Sequence, residues 1–261
     1  ISINTWHKPK DSTALHDYLV RERADVVAMT EVGPDKRRLL DELKTAYPYQ
    51  VHCADQWVCA MALLSRYPIA DQGAARVAVE QPPLVWARVK TMDAQVTVVG
   101  THLHRPSRSP WLHDKHVTSL IQFISLINGP TVLAGDFNTA PWSNSFKRLM
   151  LEAWMFPALQ LKPTWPAWPV ALPQVALDHV LVSADLTIAR SGTGPAVGSD
   201  HLPVWAEVKL PVPRIPSQPG RNQQRASRDV APLNLAAAFH LSSEFAPNLG
   251  GEHGAARYLS R

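Results

Sequence analysis

A chain of 261 residues, 46% of them hydrophobic, has enough apolar material for one large α/β domain with a tail, or for two small domains. No apolar run reaches the roughly 18–20 residues that span a bilayer, and no basic-then-apolar leader opens the chain, which argues against a membrane span and a signal peptide within it. The pI of about 9.2 invites a nucleic-acid reading, but six arginines against three acids after residue 210 supply +3, leaving 20 basic and 19 acidic residues in 1–210. Charge alone therefore does not make the body of the chain a nucleic-acid binder.

The chain opens at Ile1, not Met, on a strand, ISIN, so an upstream segment that could carry a targeting or anchoring element is expected to have been removed. Leu15, Tyr18 and Leu19 recur at helical spacing over 12–23, and VVAMTE (26–31) is a buried strand running into a carboxylate. Pro34 sits where a first-turn proline belongs, ahead of a charged helix over 35–46. Strands follow at 58–65, 84–90 and 95–102, the last two as an antiparallel pair. A long helix over 111–127, a strand over 131–138 and a helix near 143–154 come next. Strands at 176–183 and 202–210 complete the pattern. Cys53 and Cys59 flank a polar turn in a hairpin, and base rates favour two buried free thiols over a bridge. From residue 211 the composition turns to Pro, Arg, Gln and Ser, so 211–261 reads as a disordered tail with a short apolar stretch at 233–241. Residues 1–210 are expected to form one domain ahead of that tail.

One feature repeats along the domain: an apolar strand delivers a polar or titratable residue at its end. ISIN brings Asn4, MTEV brings Glu31, VVGTHLH brings His102, LAGDFN brings Asp136 and Asn138, and GSDHLP brings Asp200 and His201. ALDHV adds Asp178. Buried strands rarely carry acids without partners, because an unpaired charge there is costly, and the repetition favours one shared metal or catalytic site. Singly, each residue has a plainer reading: Asn4 as a strand-end cap, Glu31 as a helix-entry carboxylate, Asp136 in an Asx-turn with Asn138.

GDFN and SDHLP at this separation, with a strand-terminal Glu and a strand-borne TH, resemble the endonuclease/exonuclease/phosphatase superfamily, which includes DNase I, exonuclease III-type nucleases, bacterial sphingomyelinases and inositol-polyphosphate phosphatases. LLSRYPI, GDFNTAPWS, PTWP and LDHVLVS are most similar to a bacterial subgroup, often membrane-anchored. The resemblance covers about residues 1–210. It implies a four-layer α/β sandwich, two mixed sheets face to face with helices on both outer sides, and hydrolysis of a phosphodiester by metal-assisted water attack. In that scheme Mg²⁺, or Mn²⁺ in its place, is held by Glu31 and Asp200 with help from Asn4. His201 is the general base, oriented by Asp178. Asp136 positions the water, Asn138 a phosphate oxygen, and His102 donates to the phosphoryl group. DNase I-like and sphingomyelinase-like members carry a histidine at the His102 position, whereas abasic-site nucleases carry a tyrosine, which points away from abasic-site repair. The acid that DNase I-like members set upstream for this histidine is here Asp55 or Glu80.

Around this set, Arg105 and Arg108 are candidates for phosphate contact, His104 shares the face of His102, and Trp165 is a candidate for substrate contact. Trp6, Trp142, Trp165 and Trp168 lie in loops beside the motifs, where an indole can stack on a base, rest on a lipid headgroup or pack under the loop. His179 faces away from Asp178 and packs structurally. His113 and His116 share a helix with Lys115 and are expected on an exposed face. The expected partners are a phosphodiester in nucleic acid or a phospholipid headgroup, with membrane association through the removed upstream segment, and the chain is expected to be a monomer. The competing class is a non-catalytic scaffold that keeps the fold and only binds.

Overall fold

Alternation along the strands decides the architecture. In the computed structural model, which describes residues 1–8, 11–55, 57–75, 78–92, 94–158, 162–169, 172 and 174–211, twelve strands form two six-stranded sheets. The first runs β11 (Thr187–Thr193), β12 (Val204–Lys209), β1 (Ser2–Asn4), β2 (Val26–Thr30), β4 (Met61–Ser65), β3 (Tyr49–His52). The second runs β5 (Ile69–Ala75), β6 (Leu84–Lys90), β7 (Gln95–His102), β8 (Thr131–Asp136), β10 (Asp178–Ser183), β9 (Met155–Pro157). Both are mixed: β1–β2 and β7–β8 are parallel, and the other pairs are antiparallel.

Successive residues point to opposite faces, so each strand feeds two cores. Ile3, Val27, Met29 and Leu64 face outward and meet α1 (Thr13–Glu22) and α2 (Arg37–Glu42) through Leu15, Leu19, Leu39 and Leu40. Val99, Leu133 and Leu181 face the other way and meet α3 (Pro110–Ser125) and α4 (Asn144–Glu152) through Val117, Leu120, Phe146 and Leu149. The alternate residues Ala28, Val98, Ala134, Val180 and Val204 pack between the sheets. Helix, sheet, sheet, helix is the four-layer sandwich expected from the resemblance. α3 and α4 start where Ser109 and Ser143 accept the backbone N–H of Leu112 and Phe146, at 3.2 and 3.1 Å.

Several elements depart from expectation. The helix over 35–46 is α2 flanked by 3-10 turns at Pro34–Lys36 and Leu43–Thr45, and the strand expected from 58 begins at Met61. β5, β9 and β11 were not anticipated, and β3 was expected only as the first strand of the Cys53–Cys59 hairpin, without bounds. Cys53 and Cys59 are not free thiols: they form a disulfide with Cα atoms 5.7 Å apart, because the antiparallel β3–β4 pair brings the two ends of its loop together. His113 and His116 are buried, not exposed. The expected tail, Pro211 excepted, and its stretch at 233–241 lie outside the described residues. Among those residues no helix is long and apolar enough to cross a membrane.

Gly135 shows how tightly β7 and β8 approach ahead of Asp136. It has φ +153°, and a Cβ there would fall on the carbonyl oxygen of Thr101. Gly135→Ala is therefore expected to cost about 3 kcal/mol in denaturant unfolding. An unchanged midpoint would contradict this packing.

Candidate active site

The same alternation that builds the inter-sheet core builds the site. His102, Asp136 and Asp178 share the inward parity of Val98, Ala134 and Val180, and the register sets His102 opposite Asp136 and Asp136 opposite Asp178. Three neighbouring strands thus present an imidazole and two carboxylates in one row at one end of the sandwich. The facing sheet contributes Asn4, whose amide donates to Asp136 Oδ2 at 3.0 Å and Glu31 Oε1 at 3.1 Å. His201 closes the group from the turn before β12. Its Nδ1–H donates to Asp178 Oδ2 at 2.7 Å, and its Nε2 lies 3.9 Å from Asp136 Oδ2 and 4.0 Å from Asp200 Oδ1.

Each side chain is held by its own support. Asp178 Oδ2 also accepts from Thr164 Oγ1 at 2.6 Å, and that oxygen accepts the N–H of Leu177 and Asp178, both at 3.2 Å. Ser199 ties the turn before β12 to β1 within the first sheet, donating to the carbonyl of Asn4 at 2.6 Å and accepting the N–H of His201 at 3.0 Å. Glu31 and Asn138 both sit in the left-handed region, with φ +56° and +48°. Such strain persists only where surroundings fix it. At Glu31 the backbone N–H and ring of His7 reach Oε2 at 3.1 and 3.0 Å. At Asn138 the N–H donates to Asp136 Oδ1 at 2.8 Å, the Asx-turn, and the side-chain amide donates to the carbonyl of Leu103 at 2.9 Å. Thr164, Ser199 and His7 were missed in the sequence.

The expected substrate contacts are mixed. Trp165 donates its indole N–H to Asp200 Oδ2 at 3.4 Å, at the rim of the site. His104 stacks edge-on against His116 with ring centroids 6.0 Å apart, and its backbone is pinned by both buried helix histidines: its N–H donates to His116 Nδ1 at 3.1 Å and its carbonyl accepts from His113 at 2.6 Å. The two histidines thus brace the loop that follows His102. Arg105 and Arg108 lie in that loop. Asp55 is paired with Arg37 at 2.6 Å, and the carboxylate that reaches His102 is Asp136, at 3.5 Å. His179 packs outward between Phe137 and Phe146, as expected, with its Nε2–H on the Thr139 carbonyl at 2.9 Å.

Burial and crowding of charge set the electrostatics. Burial works to raise Glu31, but His102 and the hydrogen bonds from His7 and Asn4 outweigh it and hold the carboxyl at about 2. Burial raises Asp178, and Asp136 beside it adds to the effect. Burial raises Asp200 too, with Glu31 contributing. Burial works to lower His201, yet Asp178 first, then Asp136 and Asp200, hold its proton and lift it to about 10.

This acid-rich group fits a hard divalent cation. Asp178 Oδ1 and Asp200 Oδ1 are buried with no hydrogen-bond partner, and Asp136, Asp178 and His201 offer ligand atoms within 4.8 Å of one another. Asp178 and His201 already spend their facing atoms on each other. Asp178 Oδ1 and Asp200 Oδ1 are left for an ion, together with the remaining lone pairs of the hydrogen-bonded Asp136 and Glu31 oxygens. At the opposite end the sheets enclose a cavity of about 1120 Å³, walled by Val26, Val96, Val132 and Val208, with none of the site residues described above.

Thr164 is a direct test of the support under Asp178. Thr164→Val removes one donor to the carboxylate and leaves two N–H groups without their acceptor, at an expected cost of about 1–3 kcal/mol in chemical unfolding. Wild-type stability would contradict the role.

Known structures share this architecture at low identity. An endonuclease/exonuclease/phosphatase from Beutenbergia cavernae superposes with a TM-score of 0.60 at 20% identity, covering 77% of this chain and 66% of that one. A humanised D. rerio TDP2 superposes at 0.68 and 15% identity, over 80% and 97%. Beta toxin from Staphylococcus aureus superposes at 0.56 and 19% identity, over 80% and 98%. No curated protein matches the chain by sequence. Residues 1–201 match the Endonuclease/Exonuclease/phosphatase family, so the chain belongs to this family of phosphoester hydrolases.

Proposed function

We propose that the chain is a divalent-metal-dependent phosphodiesterase that uses water as nucleophile and His201 as general base. The observation that carries this is the buried His201–Asp178 pair at 2.7 Å, with His201 Nε2 turned toward Asp136 and Asp200. Asp178 fixes the tautomer, so that Nε2 is the nitrogen that exchanges a proton with water.

Glu31, Asp136 and Asp200 would hold the ion, and their oxygen donors suit Mg²⁺, with Mn²⁺ as a substitute. When bound, the ion supplies positive charge for the phosphoryl oxygens and offsets the acidic field around the site. With that field offset, His201 gives up the proton that its carboxylates otherwise retain. Asn4 acts as a positioning residue, holding Glu31 to Asp136 across the two sheets. Asp136 and His201 flank the place where water attacks. His102 donates to a phosphoryl oxygen, and the second amide hydrogen of Asn138 is available to another. The reaction consumes one water and splits one P–O bond, with the proton passing from water to His201 and then to the leaving alkoxide.

His201→Ala is expected to lower hydrolysis of bis-(p-nitrophenyl) phosphate by about 10²–10⁴-fold while its circular dichroism matches the wild type. EDTA should abolish wild-type turnover, and Mg²⁺ or Mn²⁺ should restore it. Undiminished activity in the variant, or in EDTA, would sink the mechanism.

A further inference from the structure

The exposed tryptophans are not spread evenly over the molecule. Of six exposed tryptophans among the described residues, Trp57, Trp111, Trp142, Trp165 and Trp168 lie on segments that meet the catalytic end of the sandwich. Trp57 is in the β3–β4 loop, packed on Gly33 two residues from Glu31. Trp111 is in the first turn of α3, just past the His102 loop, and Trp142 follows Asp136 and Asn138. Trp165 and Trp168 precede Asp178, and Trp168 stacks on Trp6 with centroids 5.3 Å apart. Val58 and Val79, both more than half exposed, project from loops at the same end. Cations are interleaved with these rings: Lys8 lies 5.6 Å from the Trp6 ring and Lys115 5.9 Å from that of Trp111, while Arg105 and Arg108 occupy the loop between His102 and Trp111. Two of the acids nearby are matched, Asp55 to Arg37 at 2.6 Å and Asp114 to Arg148 at 2.7 Å.

We propose that this crown of tryptophans around the active-site mouth docks the enzyme on the surface of an anionic phospholipid bilayer. Indole rings partition to the headgroup level, where one edge meets hydrocarbon and the N–H meets water. The interleaved cations complement anionic headgroups. Single-stranded nucleic acid would also stack on tryptophan, but Val58 and Val79 have no ring to offer a base. The docking surface rests on the phosphodiesterase reading only in what it would deliver, a headgroup diester brought to His201.

Co-sedimentation with phosphatidylcholine vesicles, with and without phosphatidylglycerol, tests the surface. The wild type is expected to sediment with the anionic vesicles, and brominated lipids should quench its tryptophan fluorescence. Val58→Asp with Trp111→Asp places charge in the crown away from the reacting groups. It should weaken partition about tenfold or more and leave hydrolysis of the soluble bis-(p-nitrophenyl) phosphate unchanged, which also certifies its fold. The proposal is overturned if the wild type stays in the supernatant with anionic vesicles. It is equally overturned if the double variant sediments like the wild type, or if the variant loses binding to a single-stranded oligonucleotide and not to vesicles. A wild type inert on the soluble diester but bound to vesicles would refute the phosphodiesterase reading and leave the surface standing.

Discussion

Two carboxylates set side by side in a protein interior repel each other and have lost most of their hydration, and this chain places Asp136 and Asp178 that way by strand register. Everything around them answers that cost. Asn4 donates to one from the opposite sheet, Thr164 and His201 donate to the other, and Ser199 locks the turn that carries His201 to the strand that carries Asn4. The two sheets are therefore joined at this end by polar contacts, and beneath it by a thin layer of alanine and valine. The site is where the inter-sheet core changes from apolar to charged.

The same crowding supplies the chemistry. A histidine surrounded by three carboxylates keeps its proton well above its ordinary range and is a poor base until the field is relieved. A divalent cation held by Asp136, Asp200 and Glu31 would relieve it and would supply positive charge beside the ester. His201 would then be free to accept a proton, so the proposed ion and base would work as one device. Glu31, held low by His102, His7 and Asn4, is ready as an anionic ligand across the neutral range.

Much of this was legible in the sequence because period-two strands ending in polar groups leave a pattern, and GDFN and SDHLP are specific. β6 and β7 match their expected bounds because both lie inside the sheet with continuous apolar runs. The unanticipated β5 (IADQGAA) and β11 (TIARSGT) are edge strands whose polar, small residues do not alternate cleanly, and each also carries a register irregularity. The Cys53–Cys59 pairing depends on the β3–β4 register, which the expected hairpin alone does not fix. His113 and His116 fall on the stripe with Val117, Leu120, Ile121 and Ile124, so helical spacing held a signal for their burial that their polarity obscured. Thr164 lies in the PTWP motif, but its role was not legible there, since its meeting with Asp178 is made by a loop folding back.

The most direct test of the coupling between ion and base is a titration of the His201 ring nitrogens by ¹⁵N NMR, first in metal-free protein and then in saturating Mg²⁺. An imidazolium that persists above neutral pH without the ion, and a clear fall in its pKa when the ion binds, are the expected results. A His201 that is neutral at pH ~7 without metal, or whose titration ignores the ion, would contradict the coupling.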